Sequence, residues 1–299
     1  MGRSGRHESH AMRRNSLSSA VPPVKDWHKS VCRPGATGGV PAFRAYVSAQ
    51  SSSGYSPIDQ FLAATEALTM RGKPAFFDDF PELRGLLIAA LASQTENYFR
   101  ELFSRLLVVC PVSQVKASHR DMKLGSAIWH RAGQLERGAF EHFSFASSDN
   151  ITDTLNRYFE IKVDERSDPF PLLQQFDTLC EIRHAVVHSA GIFSGKNAMK
   201  LQMGRSSATM HVDVDFQRFQ EATSLCTALV CSMNAELFRK FAERWRDRWP
   251  NCTAGWNDSV ARDRFKKLWT IFSSVRDQEA GLAPRQMTAT QCRREILSP

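Results

Sequence analysis

The segment PLLQQFDTLCEIRHAVVHSAG, Pro171 to Gly191, decides how this chain is read. Its apolar residues recur every three or four positions, the period of an α-helix and not of a strand. Pro171 suits a first helical turn, and Gly191 suits the residue just past the last one. At about 100° per residue, Leu179, Ile182, Ala185, Val186 and Ser189 share an arc of roughly 120°, small or apolar and fit to pack on other helices. Asp177, Arg183, His184, Val187 and His188 share the opposing arc, about 140° wide. One helix therefore buries one face and presents an arginine, two histidines and an aspartate on the other.

The helical period continues on both sides of this segment. Towards the N-terminus, Ile58, Phe61, Leu62, Thr65 and Leu68 follow Pro57 at helical spacing. After Pro81 a longer stripe runs through Leu86, Leu87, Leu91, Phe99, Leu102, Phe103 and Leu106 until Pro111 stops it, with Glu96 and Asn97 breaking its apolar character midway. Gln134–Phe143 and Asp149–Phe159 read as shorter helices, the second with Ser148, Asp149 and Asn150 as cap groups; the rest of 112–170 has no clear period. Beyond Gly191, Met199–Gln202 and Thr209–Val214 alternate as a short β-hairpin would, with Gly204 and Ser206 in the turn. One long helix is expected over Asp215–Trp249 and a last one over Ser259–Val275, before a polar tail. The expectation is a mainly all-α fold, a helical bundle with a small β-hairpin insertion over residues 56–250. A basic tail (1–55), rich in Ser, Gly and Pro, reads as disordered, and residues 251–299 read as a C-terminal helix and polar tail.

Composition narrows the class without naming a function. The 299 residues are 42% hydrophobic and 23% charged, ordinary for a globular chain. The net charge of +8 is uneven: residues 1–50 carry 8 basic and 2 acidic residues, 251–299 carry 8 and 5, and 51–250 carry 23 and 24. The excess thus sits at the ends, where it would help hold a polyanion. Seven scattered cysteines without a Cys-x-x-Cys pair argue against a disulfide framework and a zinc ribbon, and for a reducing compartment. No window approaches 18 apolar residues, and the first thirty lack a signal-like apolar stretch, so a cytoplasmic protein with no membrane partner is expected. A P-loop, a dinucleotide-binding glycine pattern and a His-Glu-x-x-His pair are missing. In Gly191-Ile-Phe-Ser-Gly195 the serine abuts a glycine, so the stretch is no nucleophile elbow.

The pattern Arg183-His184-x3-His188, closing an amphipathic helix, resembles the signature of the HEPN superfamily: an arginine, a polar residue, and a histidine four to six positions past the arginine. The chain is most similar to the bacterial RiboL-PSP group, which has a long first helix with a mid-helix glutamate, a hairpin after the motif helix and a long closing helix. Here those parts would be Pro81–Cys110 with Glu96, Met199–Val214 and Asp215–Trp249, so the likeness covers about 57–249. The pattern departs from the commonest form in one place, His184 standing where asparagine is frequent.

The resemblance implies a metal-independent endoribonuclease without cofactors. RNA carries its own nucleophile, the 2′-hydroxyl. Histidine as a residue type titrates near neutrality, so His188 can move protons, while Arg183 stays cationic and offers a planar fork to phosphate oxygens. His184, Glu96 and Asp177 would orient these groups or contact RNA. The likeness further implies a homodimer with a composite cleft, and a bacterial toxin or anti-phage role with an antitoxin or other regulatory partner.

Two other readings compete. His184 and His188, four apart, would also suit two imidazole ligands of a metal, with Asp177, His211 or His130 as a third donor. Alternatively the chain is a non-catalytic RNA-binding or protein-interaction module. The run from Phe238 to Trp249 interleaves Arg239, Lys240, Arg244, Arg246 and Arg248 with aromatics, as a backbone-gripping surface would, although such a run also describes core rings with solvated arginines.

Overall fold

A computed structural model describes residues 30–33, 42–49, 54–130 and 135–298. The chain divides into two compact units, Met1–Ser52 and Ser53–Pro299. In the first, the described residues include one 3₁₀ turn, Phe43–Tyr46. The disorder expected of 1–55 falls mostly outside the described residues.

The second unit is helical. Its elements are α1 (Pro57–Arg71), α2 (Pro74–Asp79), a 3₁₀ turn (Pro81–Leu83), α3 (Arg84–Val109), α4 (Pro111–Ala117), α5 (Leu124–Trp129), α6 (Leu135–Phe140), α7 (Ser148–Phe159) and α8 (Pro169–Ser189). There follow α9 (Gly195–Lys200), α10 (Phe216–Asp247), α11 (Trp249–Cys252), α12 (Asp258–Phe272), α13 (Val275–Glu279) and α14 (Ala289–Leu297). Prolines stand in the first turn of α1, α3's leading 3₁₀ turn, α4 and α8, where their missing N–H costs no helical bond. The Asp215 carboxylate accepts the amide of Arg218 and starts the long α10.

The α3 helix is the hub, packed against α1, α6, α8, α10 and α12. Phe99, Leu102, Phe103 and Leu106 of α3 are wholly buried. Phe103 gathers the rings of Phe140, Phe145 and Phe159 at 5.3–6.0 Å, joining the short α6 and α7 to the bundle. Where α3 begins, Gly85 lies so close to α8 that an added Cβ would come within 2.9 Å of Val186. That approach fixes the C-terminal half of α8 against α3.

Two expectations are corrected. The hairpin of Met199–Gln202 with Thr209–Val214 is not formed. Residues Gly195–Lys200 are helical, because Ser194 caps the turn and the buried Asn197 donates to Glu181 of α8 at 2.7 Å. The strand-like pairing among the described residues is one antiparallel bridge, Ile192 with His211. Nor is the end of the chain merely a polar tail. Helices α12, α13 and α14 belong to the same compact unit, and α12 and α14 pack on α10. The Asp59 carboxylate of α1 accepts from Ser274 Oγ at 2.6 Å and from the Val275 amide at 3.0 Å. Among the described residues no helix is long and apolar enough to cross a membrane.

Candidate functional site

The helical wheel foretells how the last turns of α8 divide. Taking Arg183 as the origin, Leu179 lies about 40° to one side and His184 and His188 about 100° and 140° to the other. Arginine 183 thus sits at the margin of the packed face, and the histidines sit far from it. The structure follows this geometry. Leu179 and Ala185 are buried, Arg183 is about a quarter exposed, and His184 and His188 face solvent.

At the margin, Arg183 Nη2 lies 3.5 Å from Glu96 Oε1 of α3. Glu96 is 6% exposed. Its other oxygen accepts the Phe145 amide at 3.2 Å and the Ser144 hydroxyl at 3.4 Å, so the carboxylate is held from two sides. The Nε of Arg183 is buried and has no hydrogen-bond partner among the described residues. The Cys180 thiol lies close by; burial foremost, and then the carboxylates of Glu96 and Asp177, push its pKa up. It therefore stays an uncharged packing residue at neutral pH.

On the open side, the rings of His184 and His188 lie 4.7 Å apart with 49° between their planes. Neither ring hydrogen-bonds to protein among the described residues. Glu181, which the spacing argument did not single out, borders this side. Its carboxylate accepts from Lys200 Nζ at 2.5 Å and Asn197 Nδ2 at 2.7 Å. Burial opposes its charge, but these hydrogen bonds and the charges of Lys200 and His184 prevail, and its pKa is lowered. A sequence signal for it existed, since Glu181 and His184 are three apart on one helix.

The expected site residues are thus only partly brought together. Arg183 joins Glu96, and His184 joins His188, but Arg183 and His188 do not touch within one chain. Asp177 serves elsewhere: its two oxygens take the Ser148 amide at 2.6 Å and the Ser148 hydroxyl at 2.5 Å, anchoring the start of α7. The donors considered for a metal are also dispersed. His130 is bound to Glu141 at 2.6 Å, His211 pairs with Ile192, and no group of three His, Cys, Asp or Glu gathers among the described residues.

The run at the end of α10 resolves into core and paired charge. Phe241, Trp245 and Trp249 are buried. Arg244 is buried too, donating to the Phe159 and Glu160 carbonyls. Arg239 pairs with Glu236 and Glu243, Arg246 with Asp247, and Arg248 with Glu160.

No family model, curated protein or solved structure matches this chain.

Proposed function

We propose that the chain is a HEPN-type, metal-independent endoribonuclease acting through Arg183 and His188. The observation that carries this reading is the Arg183–Glu96 pair. A buried carboxylate fixes a guanidinium at the edge of a helix whose next turn exposes two imidazoles with no hydrogen-bond partner among the described residues. A pre-held cation and an imidazole able to carry a proton, on one polar edge, are the minimum equipment for phosphodiester cleavage by the neighbouring 2′-hydroxyl.

In this mechanism the 2′-oxygen bonds to phosphorus and the bond from phosphorus to the 5′-oxygen breaks. His188 takes the 2′-hydroxyl proton or supplies one to the departing 5′-oxygen, solvent water completing the other transfer, and Arg183 neutralises the phosphoryl oxygens. The products carry a 2′,3′-cyclic phosphate and a 5′-hydroxyl. His184, packed on His188, orients it.

Within one chain the two groups stand at opposite margins of the polar arc. A twofold dimer closing over this edge would set Arg183 of one protomer against His188 of the partner subunit. Val187, 51% exposed between them, and Leu86, also 51% exposed on the adjoining α3, supply apolar contact for such closure. The setting this reading implies is a cytoplasmic toxin or anti-phage effector, restrained by an antitoxin.

The test is RNA cleavage in excess chelator by the native chain, His188→Ala and Arg183→Ala. Loss in both variants is expected; unchanged activity in both removes the assignment. A strictly monomeric yet fully active protein in sedimentation removes the composite cleft. The separation of Arg183 from His188 within a chain favours a second reading, a helical module that binds RNA or protein without turnover. RNA binding with no cleavage, indifferent to His188→Ala, selects it.

A further inference from the structure

Two hollows are lined by residues at the start of α14 and just before it. Asn234 and Phe238 border one of them, whereas Ala222 of the same helix borders Leu179 and Ile182 of α8. At 1.5 Å per residue the two regions are roughly 18–24 Å apart along α10.

The first hollow, about 470 Å³, is walled by the rings of Phe238, Trp269 and Phe272. Phe238 meets Trp269 edge-on at 5.7 Å. Ser273 and Gln278 also line it, and neither side chain makes a hydrogen bond among the described residues. The second hollow, about 370 Å³, is lined by Arg262, Lys266, Arg293 and the residues that open α14.

Positive charge prevails in this second groove. Arg262 and Arg293 share the single carboxylate of Asp258, Asp263 is taken by Lys267, and Lys266 has no ion-pair partner among the described residues. The guanidinium of Arg293 lies over the Trp245 ring at 5.9 Å, and its Nε is buried without a hydrogen-bond acceptor among the described residues. A capping box between Thr288 and Gln291 satisfies the amides of those two residues. The amides of Ala289 and Thr290, which line the groove, are first-turn donors with no carbonyl of their own helix to reach.

We infer that this end of the molecule binds a nucleotide, the base in the ring-lined hollow and the phosphate in the basic groove. A flat heteroaromatic bearing donors and acceptors uses both the rings and an amide that offers each. A neighbouring phosphate uses the cations and the free amides. A purely apolar ligand would leave Gln278 and the groove idle, and a bare anion would leave the rings idle. The hollows adjoin in the chain, with Met287 lining one and Thr288 the other. The nucleotide arrives either free or as one unit of single-stranded RNA. This assignment goes beyond the ribonuclease reading and stands whether or not Arg183 and His188 cut.

The probes are adenosine and uridine monophosphates, and a labelled twelve-nucleotide single-stranded RNA read with His188→Ala protein in excess chelator. Lys266→Glu is exposed and leaves the circular dichroism unchanged; Gln278→Leu alters only the hollow with the rings. Lys266→Glu is expected to weaken binding about tenfold and to lower the salt slope of RNA binding by about one. Gln278→Leu is expected to weaken binding and to level any preference between the two bases. Variant-sensitive binding of the monophosphates identifies a free-nucleotide site; sensitivity confined to the RNA identifies a strand-binding site. Affinity for both probes unchanged in both variants overturns the inference. Cleavage by the native chain is followed beside these titrations. Cleavage with variant-insensitive binding sinks this inference alone, and variant-sensitive binding without cleavage sinks the ribonuclease reading alone.

Discussion

Two stretches of this chain mix cations with rings, and the fold treats them oppositely. At the end of α8 the arginine leans inward on Glu96 while His184 and His188 stand in solvent, in contact with each other and with no hydrogen-bond partner among the described residues. At the end of α10 the rings form core and the cations are consumed, Arg244 by two backbone carbonyls and Arg239 by two glutamates. The difference lies in what surrounds each helix. The α10 end packs against α11 and α12, and every polar group caught between them needs a partner. The polar edge of α8 is bordered by α9, whose Lys200 and Asn197 engage Glu181 and leave the histidines alone. Cation and ring content therefore says little until the availability of the hydrogen-bonding groups is known.

Variants at the two stretches sharpen this contrast. The largest effect is expected of Trp245→Ala, which empties a site 1% exposed and packed 4.7 Å from Phe265. It should lower unfolding stability by about 3–5 kcal/mol in chemical denaturation. His188→Ala should do the reverse, costing roughly 10²–10⁴-fold in RNA cleavage while shifting stability by no more than about 0.5 kcal/mol. Equal stability losses in the two variants would erase the distinction between core and edge. Glu96→Gln keeps an acceptor for the Phe145 amide but removes the charge facing Arg183. A stability loss of about 1–3 kcal/mol, with a fall in cleavage, is expected, and wild-type behaviour in both assays would show the pair to be idle.

Acid supplies a milder test. The pKa of Glu181 is lowered in the folded chain, from an ordinary 4.5. Its contribution is therefore complete above that ordinary value and is lost as pH falls through the lowered one. Urea midpoints for the native chain and Glu181→Gln should differ at pH 7 and converge as pH falls through the lowered pKa; a gap that persists in strong acid would contradict the charge-based account. The smallest effect is expected of Arg239→Ala, whose exposed pairs with Glu236 and Glu243 should be worth no more than about 1 kcal/mol.

Much of the bundle was legible because proline and apolar period mark the long helices α1, α3, α8 and α10. The helices α4 and α5 have seven and six residues, under two full turns, too short for a period to declare itself. They hold their places through tertiary contacts, α4 on α3 and α7 and α5 on α6. The alternation over Met199–Gln202 misled for the same reason: it buries little, as Met199 is 78% exposed, and a serine cap with one buried asparagine outweighed it. At the site, the wheel located the polar edge. It could not reveal that Arg183 would take a partner from α3, nor that Asp177 would be spent on Ser148, because both depend on which helix lies alongside.

The carboxylate of Asp59 sits near the beginning of the helical unit, 2% exposed, yet its donors are Ser274 and Val275, more than two hundred residues onward. A buried charge without donors is costly, so α1 cannot settle into its final surroundings until nearly all of the chain has been synthesised. A protein ending short of Ser274 would strand that charge. Both ends of the unit thus ripen together, and a truncation that removes Ser274 and Val275 would be felt at the N-terminal helix.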